Sequence, residues 1–187
     1  VGNKIKEVNL DRTITYKYDL NSRLTEVKYY NDKTEKYTYE DRGNIIKKIQ
    51  QDGSIIEYEY DLLYNISSIN YDDKTISFDH DDNGLLLSAV NGNNRVIFNY
   101  DALGQVTFYS QNGNTVRYKY DIYGNITTIT YPNNDKVHYT YDSNGNILTV
   151  VDTNNITTSY VYNNLNQVIE KTTGELPTEY FTYTLNG

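Results

Sequence analysis

The chain has 187 residues, a formal net charge of -8, a pI near 4.7 and 37% hydrophobic residues, with no cysteine, methionine or tryptophan. The missing cysteine excludes disulfide staples, thiolate metal sites and a cysteine nucleophile, and the acidic balance argues against nucleic acid, whose affinity rests on Lys and Arg neutralising phosphates. No long apolar run is present, so membrane insertion is not expected, and the apolar material, mostly Tyr, Ile and Val, suits a pleated, half-buried β surface.

Taken in order, the chain repeats itself. Its first residues, VGNKI, are already in phase, since Gly2 stands twenty before Ser22. The first full unit carries an aromatic pair, Tyr16 and Tyr18, then Asp19, the turn former Ser22 and the aliphatic Leu24. The same order returns at Tyr37, Tyr39, Glu40, Gly43 and Ile45, and again at Tyr58, Tyr60, Asp61 and Ile66, with Tyr64 in the turn position. Phe78, His80, Asp81, Gly84 and Leu86 follow, then Phe98, Tyr100, Asp101, Gly104 and Val106. Tyr118, Tyr120, Asp121, Gly124, Asn125 and Ile126 make the next unit, and Tyr139, Tyr141, Asp142, Gly145, Asn146 and Ile147 the one after. The acid then drifts to Asn163 after Tyr160 and Tyr162, with Asn166 and Val168 beyond, and to Thr184 after Phe181 and Tyr183, with Gly187 last. Consecutive anchors, from Tyr18 to Tyr183, are 20 or 21 residues apart throughout.

A fixed period of this length marks a quasi-one-dimensional array of stacked units. One array of about nine units over residues 1–187 is expected, with no second domain. The chain starts and stops at the same point of the cycle, which suggests a piece of a longer protein.

Before each anchor, apolar and polar residues alternate, as in Ile56, Tyr58 and Tyr60 against Glu57 and Glu59. Period two places the aliphatic and both aromatics on one face of a strand. The other half of each unit, such as 125–129 or 44–49, spaces its apolar residues by three or four. These runs are short and rich in Ile and Thr, which favours a second strand, bulged between its apolar residues, over a helical turn. Turn formers separate the strands at 51–53, 91–94, 111–114, 132–135 and 153–155, and Gly, Asn and Asp supply the positive φ that such turns need. Each unit is therefore predicted to be a β-hairpin, joined to the next by the turn that begins at the acid. One hairpin buries too little to persist alone, so the expected fold is all-β, with hairpins adding into one continuous antiparallel sheet. About eighteen strands at roughly 4.8 Å would twist and curve into an arc or spiral.

The unit Tyr-x-Tyr-Asp-x-x-Gly-Asn-Ile, intact at 118–126 and 139–147, resembles the YD repeat of the RHS proteins. That family includes bacterial polymorphic toxins, shell components of Tc toxin complexes, wall-associated proteins and animal teneurins. The resemblance implies a wall segment of a hollow β-shell, which in the toxins encloses a C-terminal cytotoxic domain, in a protein secreted or displayed at the cell surface. It implies two partners, the remainder of the parent chain and an encapsulated cargo domain. The family's proline-containing self-cleavage motif has no counterpart in residues 1–187, and no toxin domain is expected within them.

The acidic column Asp19, Glu40, Asp61, Asp81, Asp101, Asp121 and Asp142 invites a cation-binding reading. An Asp at the start of a turn more simply accepts bonds from the amides just after it, and carboxylates two strands apart, about 9 to 10 Å, are too far separated to share an ion. The stretch 79–84 is similar to a calcium loop, but Val90 occupies the twelfth position, where a bidentate Glu is required. His80 substitutes for tyrosine at an anchor, and His138 lies in a different unit on the opposite face, so no histidine-based catalysis is expected. The three sequons at Asn65, Asn125 and Asn155 are by-products of turn chemistry. No catalytic residue, metal or cofactor is therefore assigned, and Tyr18, Tyr39, Tyr60, His80, Tyr100, Tyr120, Tyr141, Tyr162 and Tyr183 are read, with their acids and Gly-Asn turns, as an architectural signature.

Sugar stacking is the alternative, because aromatic repeats of about this length also build glycan- and cell-wall-binding modules. Tyr29, Tyr30, Tyr64, Tyr109, Tyr123 and Tyr131, outside the pairs, are its candidates. Unpaired end strands are also expected to favour self-association.

Overall fold

A computed structural model of the chain describes residues 2–10 and 12–184. The outermost turn former, Gly187, and the first residue of the VGNKI stretch lie outside the described residues. Contacts divide the chain into two compact units, Val1–Arg95 and Val96–Gly187.

The first unit holds β1 (Lys6–Asn9), β2 (Arg12–Tyr18), β3 (Leu24–Lys28), β4 (Thr34–Tyr39), β5 (Ile45–Ile49), β6 (Ile55–Tyr60), β7 (Ile66–Tyr71), β8 (Lys74–His80) and β9 (Leu86–Asn91). Each pairs antiparallel with its neighbour in sequence, from β1–β2 through to β8–β9. β10 (Asn94–Tyr100) starts at the boundary. From Val96 onward it pairs with β11 (Val106–Gln111), opening the second unit. β12 (Asn114–Tyr120), β13 (Ile126–Thr130), β14 (Lys136–Tyr141), β15 (Ile147–Val151), β16 (Thr157–Tyr162), β17 (Val168–Thr173) and β18 (Glu179–Tyr180) complete it in the same meander. The fold is all-β and antiparallel, with no helix among the described residues. The expected hairpin repeat is what the chain forms.

The bulge predicted from the spacing of three is present. In the β12–β13 pair, Tyr118 faces Ile129 and Tyr120 faces Ile126, while Lys119 faces Thr128, leaving Thr127 as the extra residue. The same shift occurs at every pair that crosses an acidic turn, with Thr25, Ile46, Ser67, Leu87, Thr107, Leu148 and Ile169 as the additional residues. One added residue lets two side chains three apart reach the same face. A helical-looking spacing is thus satisfied in a strand.

The dither between 20 and 21 residues also has a structural cause. Tyr71 pairs with Lys74, and Gln111 with Asn114, so two residues close those hairpins, with φ of 51° at Asp72 and 50° at Asn112. Asn9 likewise pairs with Arg12 across two residues, whereas other hairpins use a longer loop. After the Lys28–Thr34 pair, the Tyr29 amide bonds the Lys33 carbonyl at 2.9 Å and three residues turn. The shorter loop removes one residue from its unit.

Each unit is one layer deep. Among the described residues no side chain is fully buried, and only Val27, Val137, Ser68 and Ser110 are buried. Along β6, Ile56, Tyr58 and Tyr60 are half-buried while Glu57 and Glu59 are exposed, the alternation expected from period two. With so thin an interior, cohesion comes from the ladders and from side chains that tie one strand to the next.

Candidate functional site

The repeated signature builds two fastenings per unit. The first is the acidic turn. The Asp121 amide donates to the Asn125 carbonyl at 2.9 Å, and the Gly124 amide to the Asp121 carbonyl at 3.2 Å. One carboxylate oxygen of Asp121 accepts the amides of Tyr123 and Asn125 at 2.8 and 2.9 Å, and the other accepts Asn125 Nδ2 at 3.0 Å. Asp61 and Asp142 are held the same way by Asn65 and Asn146. Gln105 does this for Asp101. Asp81 accepts the Asn83 and Leu85 amides, and Asp19 the Asn21 and Arg23 amides.

The third residue after the acid must sit at positive φ. Gly124 does so at 87°, and Tyr64, in the turn position without a small residue, at 67°. A side chain there carries a steric penalty that glycine avoids.

Hydrogen bonds from the Asn side chains, then from backbone amides, hold the carboxyls of Asp61, Asp121 and Asp142 below their ordinary range. For Asp19 the Arg23 amide is the leading cause, and for Glu40 the Arg42 amide. These carboxylates are occupied as turn acceptors. Among the described residues there is no group of three or more His, Cys, Asp or Glu that could hold a metal ion.

The second fastening is the anchor tyrosine. Its hydroxyl donates to the carbonyl of the recurring aliphatic residue at the start of the preceding strand. The pairs are Tyr39 to Leu24, Tyr60 to Ile45, Tyr120 to Val106, Tyr141 to Ile126, Tyr162 to Ile147 and Tyr183 to Val168, all at 2.7 to 2.8 Å. Tyr18 reaches the Lys4 carbonyl at 2.9 Å. The β3–β4 ladder begins only at Glu26, so the Leu24 carbonyl lies beyond its last pair and the phenol supplies the donor. Burial raises the phenol pKa at Tyr39, Tyr60, Tyr120, Tyr141 and Tyr162, keeping each a donor.

His80 is the exception in this column. Its imidazole Nδ1 lies 3.9 Å from an Asp61 carboxylate oxygen, with the side chain only 13% exposed. A recess bounded by Asn65, Ile66, Phe78, His80 and Leu86 opens beside it. His138 is exposed, on the face away from the anchors, with Nδ1 3.2 Å from Thr128 Oγ1.

One element of the turns escaped the sequence reading: the fourth residue after the acid links one turn to the next. A Cβ on Gly84 would lie 3.1 Å from Asn65 Oδ1, and one on Gly124 3.1 Å from Gln105 Oε1. Arg23 donates to the Glu40 carbonyl at 2.9 Å, and Asn146 Nδ2 to Asn166 Oδ1 at 2.8 Å. The recurrence of Asn, Gln or Arg at that position was the available signal.

The tyrosines outside the pairs differ in their surroundings. Tyr109 faces Phe98 across β10–β11 with ring centroids 5.3 Å apart, so it stands on the aromatic ladder, where sequence had placed it outside. Guanidinium groups cover Tyr30 (Arg12, 4.9 Å) and Tyr64 (Arg42, 4.1 Å). Tyr123 is open, at 83% exposure.

Residues 2–126 match the family described as Teneurin YD-shell, and residues 141–175 match the RHS Repeat. Comparison with curated proteins finds no match. Among solved structures, the TcdB2-TccC3-Cdc42 crystal structure aligns with a TM-score of 0.70 and 13% identity over 97% of this chain and 12% of that one. TcdB2-TccC3 without its hypervariable C-terminal region gives 0.68 and 13%, over 91% and 12% of the two chains. A mutant of the Photorhabdus luminescens Tc holotoxin pore gives 0.66 and 12%, over 90% and 11%. The chain thus spans only 11% to 12% of the length of these chains, and at such identities the likeness is one of fold.

Proposed function

Because the chain belongs to the Teneurin YD-shell family, we propose that it is a wall segment of an RHS-type β-shell that encloses a toxin or effector domain. On this reading residues 1–187 are one array within a longer, secreted or surface-displayed protein. Its partners are the rest of that protein and the enclosed cargo, and copies of the isolated array associate through strand edges.

One observation carries the proposal: the acids and anchor phenols that recur along the array are consumed in holding turns and strands together. Acids accept from their own turns, and anchor phenols donate to the neighbouring strand's backbone. A wall of this kind works by exclusion, and its role is non-enzymatic. The test is limited proteolysis of the parent protein with and without its array. A cargo domain that stays protected only in the intact protein supports the reading, and a cargo equally cleaved in both overturns it.

The open ring of Tyr123, beside Ile122 at 87% exposure, favours carbohydrate stacking as a second reading. Retention on a glycan array that is lost in Tyr123→Ala would establish it. No retention on any glycan would remove it.

A further inference from the structure

An array of near-identical hairpins has a pairing problem, because a strand that skips one unit meets the same aliphatic and aromatic pattern it would meet in register. We propose that the ion pair between Glu35 and Lys48 is an address label that makes β4 choose β5 over the equivalent strands of other units.

The two residues occupy columns that are otherwise mostly apolar. Two residues before the aromatic pair, other units present Ile14, Ile56, Ile76, Val96, Val116 and Val137, where β4 presents Glu35. Opposite the first aromatic of the pair, other units present Val27, Ile69, Ala89, Ile129 and Val150, where β5 presents Lys48. The structure brings the two exceptions together. Lys48 Nζ lies 3.5 Å from Glu35 Oε2, with side chains 28% and 16% exposed. Tyr37 donates to Glu35 at 2.7 Å, Gln51 donates to it at 3.3 Å, and the Lys48 ammonium sits 5.5 Å from the Tyr37 ring centroid.

Such a pair adds little stability over two aliphatics, because desolvation offsets the attraction, but separating its members strands two half-buried charges. In the skipped arrangement β4 would meet β7, setting Glu35 near Ile69 and leaving Lys48 without its carboxylate. The label therefore acts on the choice of partner. The second unit carries a charge pair at related positions, but within a hairpin and not across an acidic turn. Lys171 occupies the Lys48 position of its own unit, and its Nζ lies 2.9 Å from Glu179 Oε1 across β17–β18. Glu7, opposite Ile14 in β1, also carries charge in this column and takes Lys4 and the Tyr16 hydroxyl as partners.

The absence of native cysteine allows a direct test on the full chain. Thr38 and Lys47 face each other in β4–β5, and Ser68 is the residue at the Lys47 position of the next unit, facing Glu59. Cysteines at 38 and 47 report the native pairing and cysteines at 38 and 68 the skipped one, read by mass spectrometry after refolding and oxidation. The Glu35→Val, Lys48→Ile double variant is expected to raise the skipped crosslink about tenfold or more. The charge-reversed Glu35→Lys, Lys48→Glu variant should keep the native one. A third variant moves the label: Lys48→Ile with Ile69→Lys should shift the crosslink from 38–47 towards 38–68, which tests the idea even if the apolar variant does not fold. An unchanged 38–47 crosslink in the relocated variant overturns the proposal, as does equal skipping in the charge-reversed and apolar variants.

Discussion

The Tyr141 hydroxyl and the Ile126 carbonyl, fifteen residues apart in the chain, meet at 2.7 Å and close the open end of the β13–β14 hairpin. The ladder of that hairpin stops at the Thr128–His138 pair, so the phenol is the donor available to a carbonyl the strands leave behind. Tyr141→Phe should therefore cost about 1 to 2 kcal/mol, more than the mean of a net hydrogen bond because an acceptor is left unmade. Tyr123→Phe, altering an exposed ring, should stay within about 0.5 kcal/mol. Urea denaturation of both variants checks the contrast.

His80 offers the reverse experiment. A tyrosine there would place a hydroxyl where its counterparts meet the strand-start carbonyl, here that of Ile66, and would fill the recess lined by Phe78 and Leu86. His80→Tyr is expected to stabilise the chain by about 0.5 to 1.5 kcal/mol, the usual return of a satisfied acceptor and a filled gap. A lower melting temperature would show that the imidazole is preferred for its approach to Asp61.

Two glycines at positive φ should respond differently to alanine. Gly113, at φ 89°, has nothing within 4 Å of its missing Cβ, whereas a Cβ on Gly124, at φ 87°, would meet Gln105 Oε1 at 3.1 Å. Gly113→Ala should cost about 1 kcal/mol of backbone strain. Gly124→Ala should cost more, because Gln105 would also have to move. A second change, Gln105→Ala, should remove the difference if the contact is its cause, read as a thermal-melt cycle.

Stability should fall in acid. The carboxyls of Asp19, Asp61, Asp121 and Asp142 are held below their ordinary values, chiefly by turn hydrogen bonds. Folding therefore draws stability from their charged forms above about pH 4, and this is lost as pH falls through the lowered folded values. Asp121→Asn and Asp142→Asn together should flatten the acid limb of a stability-against-pH curve measured by circular dichroism. An unchanged limb would place the acid sensitivity elsewhere.

Much of this was legible in the residues. Period two before each anchor gave the first strand, and Ile126 with Ile129 announced a bulged second strand because only an extra residue lets both face Tyr120 and Tyr118. The acids' preference for their own turn amides was equally readable, since it is a local bond. What sequence could not show was reach across strands. That the Tyr39 hydroxyl finds Leu24, that Asn65 lies against Gly84, and that Tyr109 joins Phe98 all depend on register, which pattern alone leaves open.

The two ways of closing a hairpin carry a practical consequence. Loops of two or three turning residues interchange without disturbing the strands they join, while the acidic turns keep one length and are tied to one another by side chains such as Arg23 and Asn146. Within each unit the margins of the ribbon thus obey different rules: one is a locked selvedge, the other a permissive fringe. Grafted peptides or reporter tags belong on the fringe, at positions such as 30–32 or 112–113, where the weave tolerates a change of stitch.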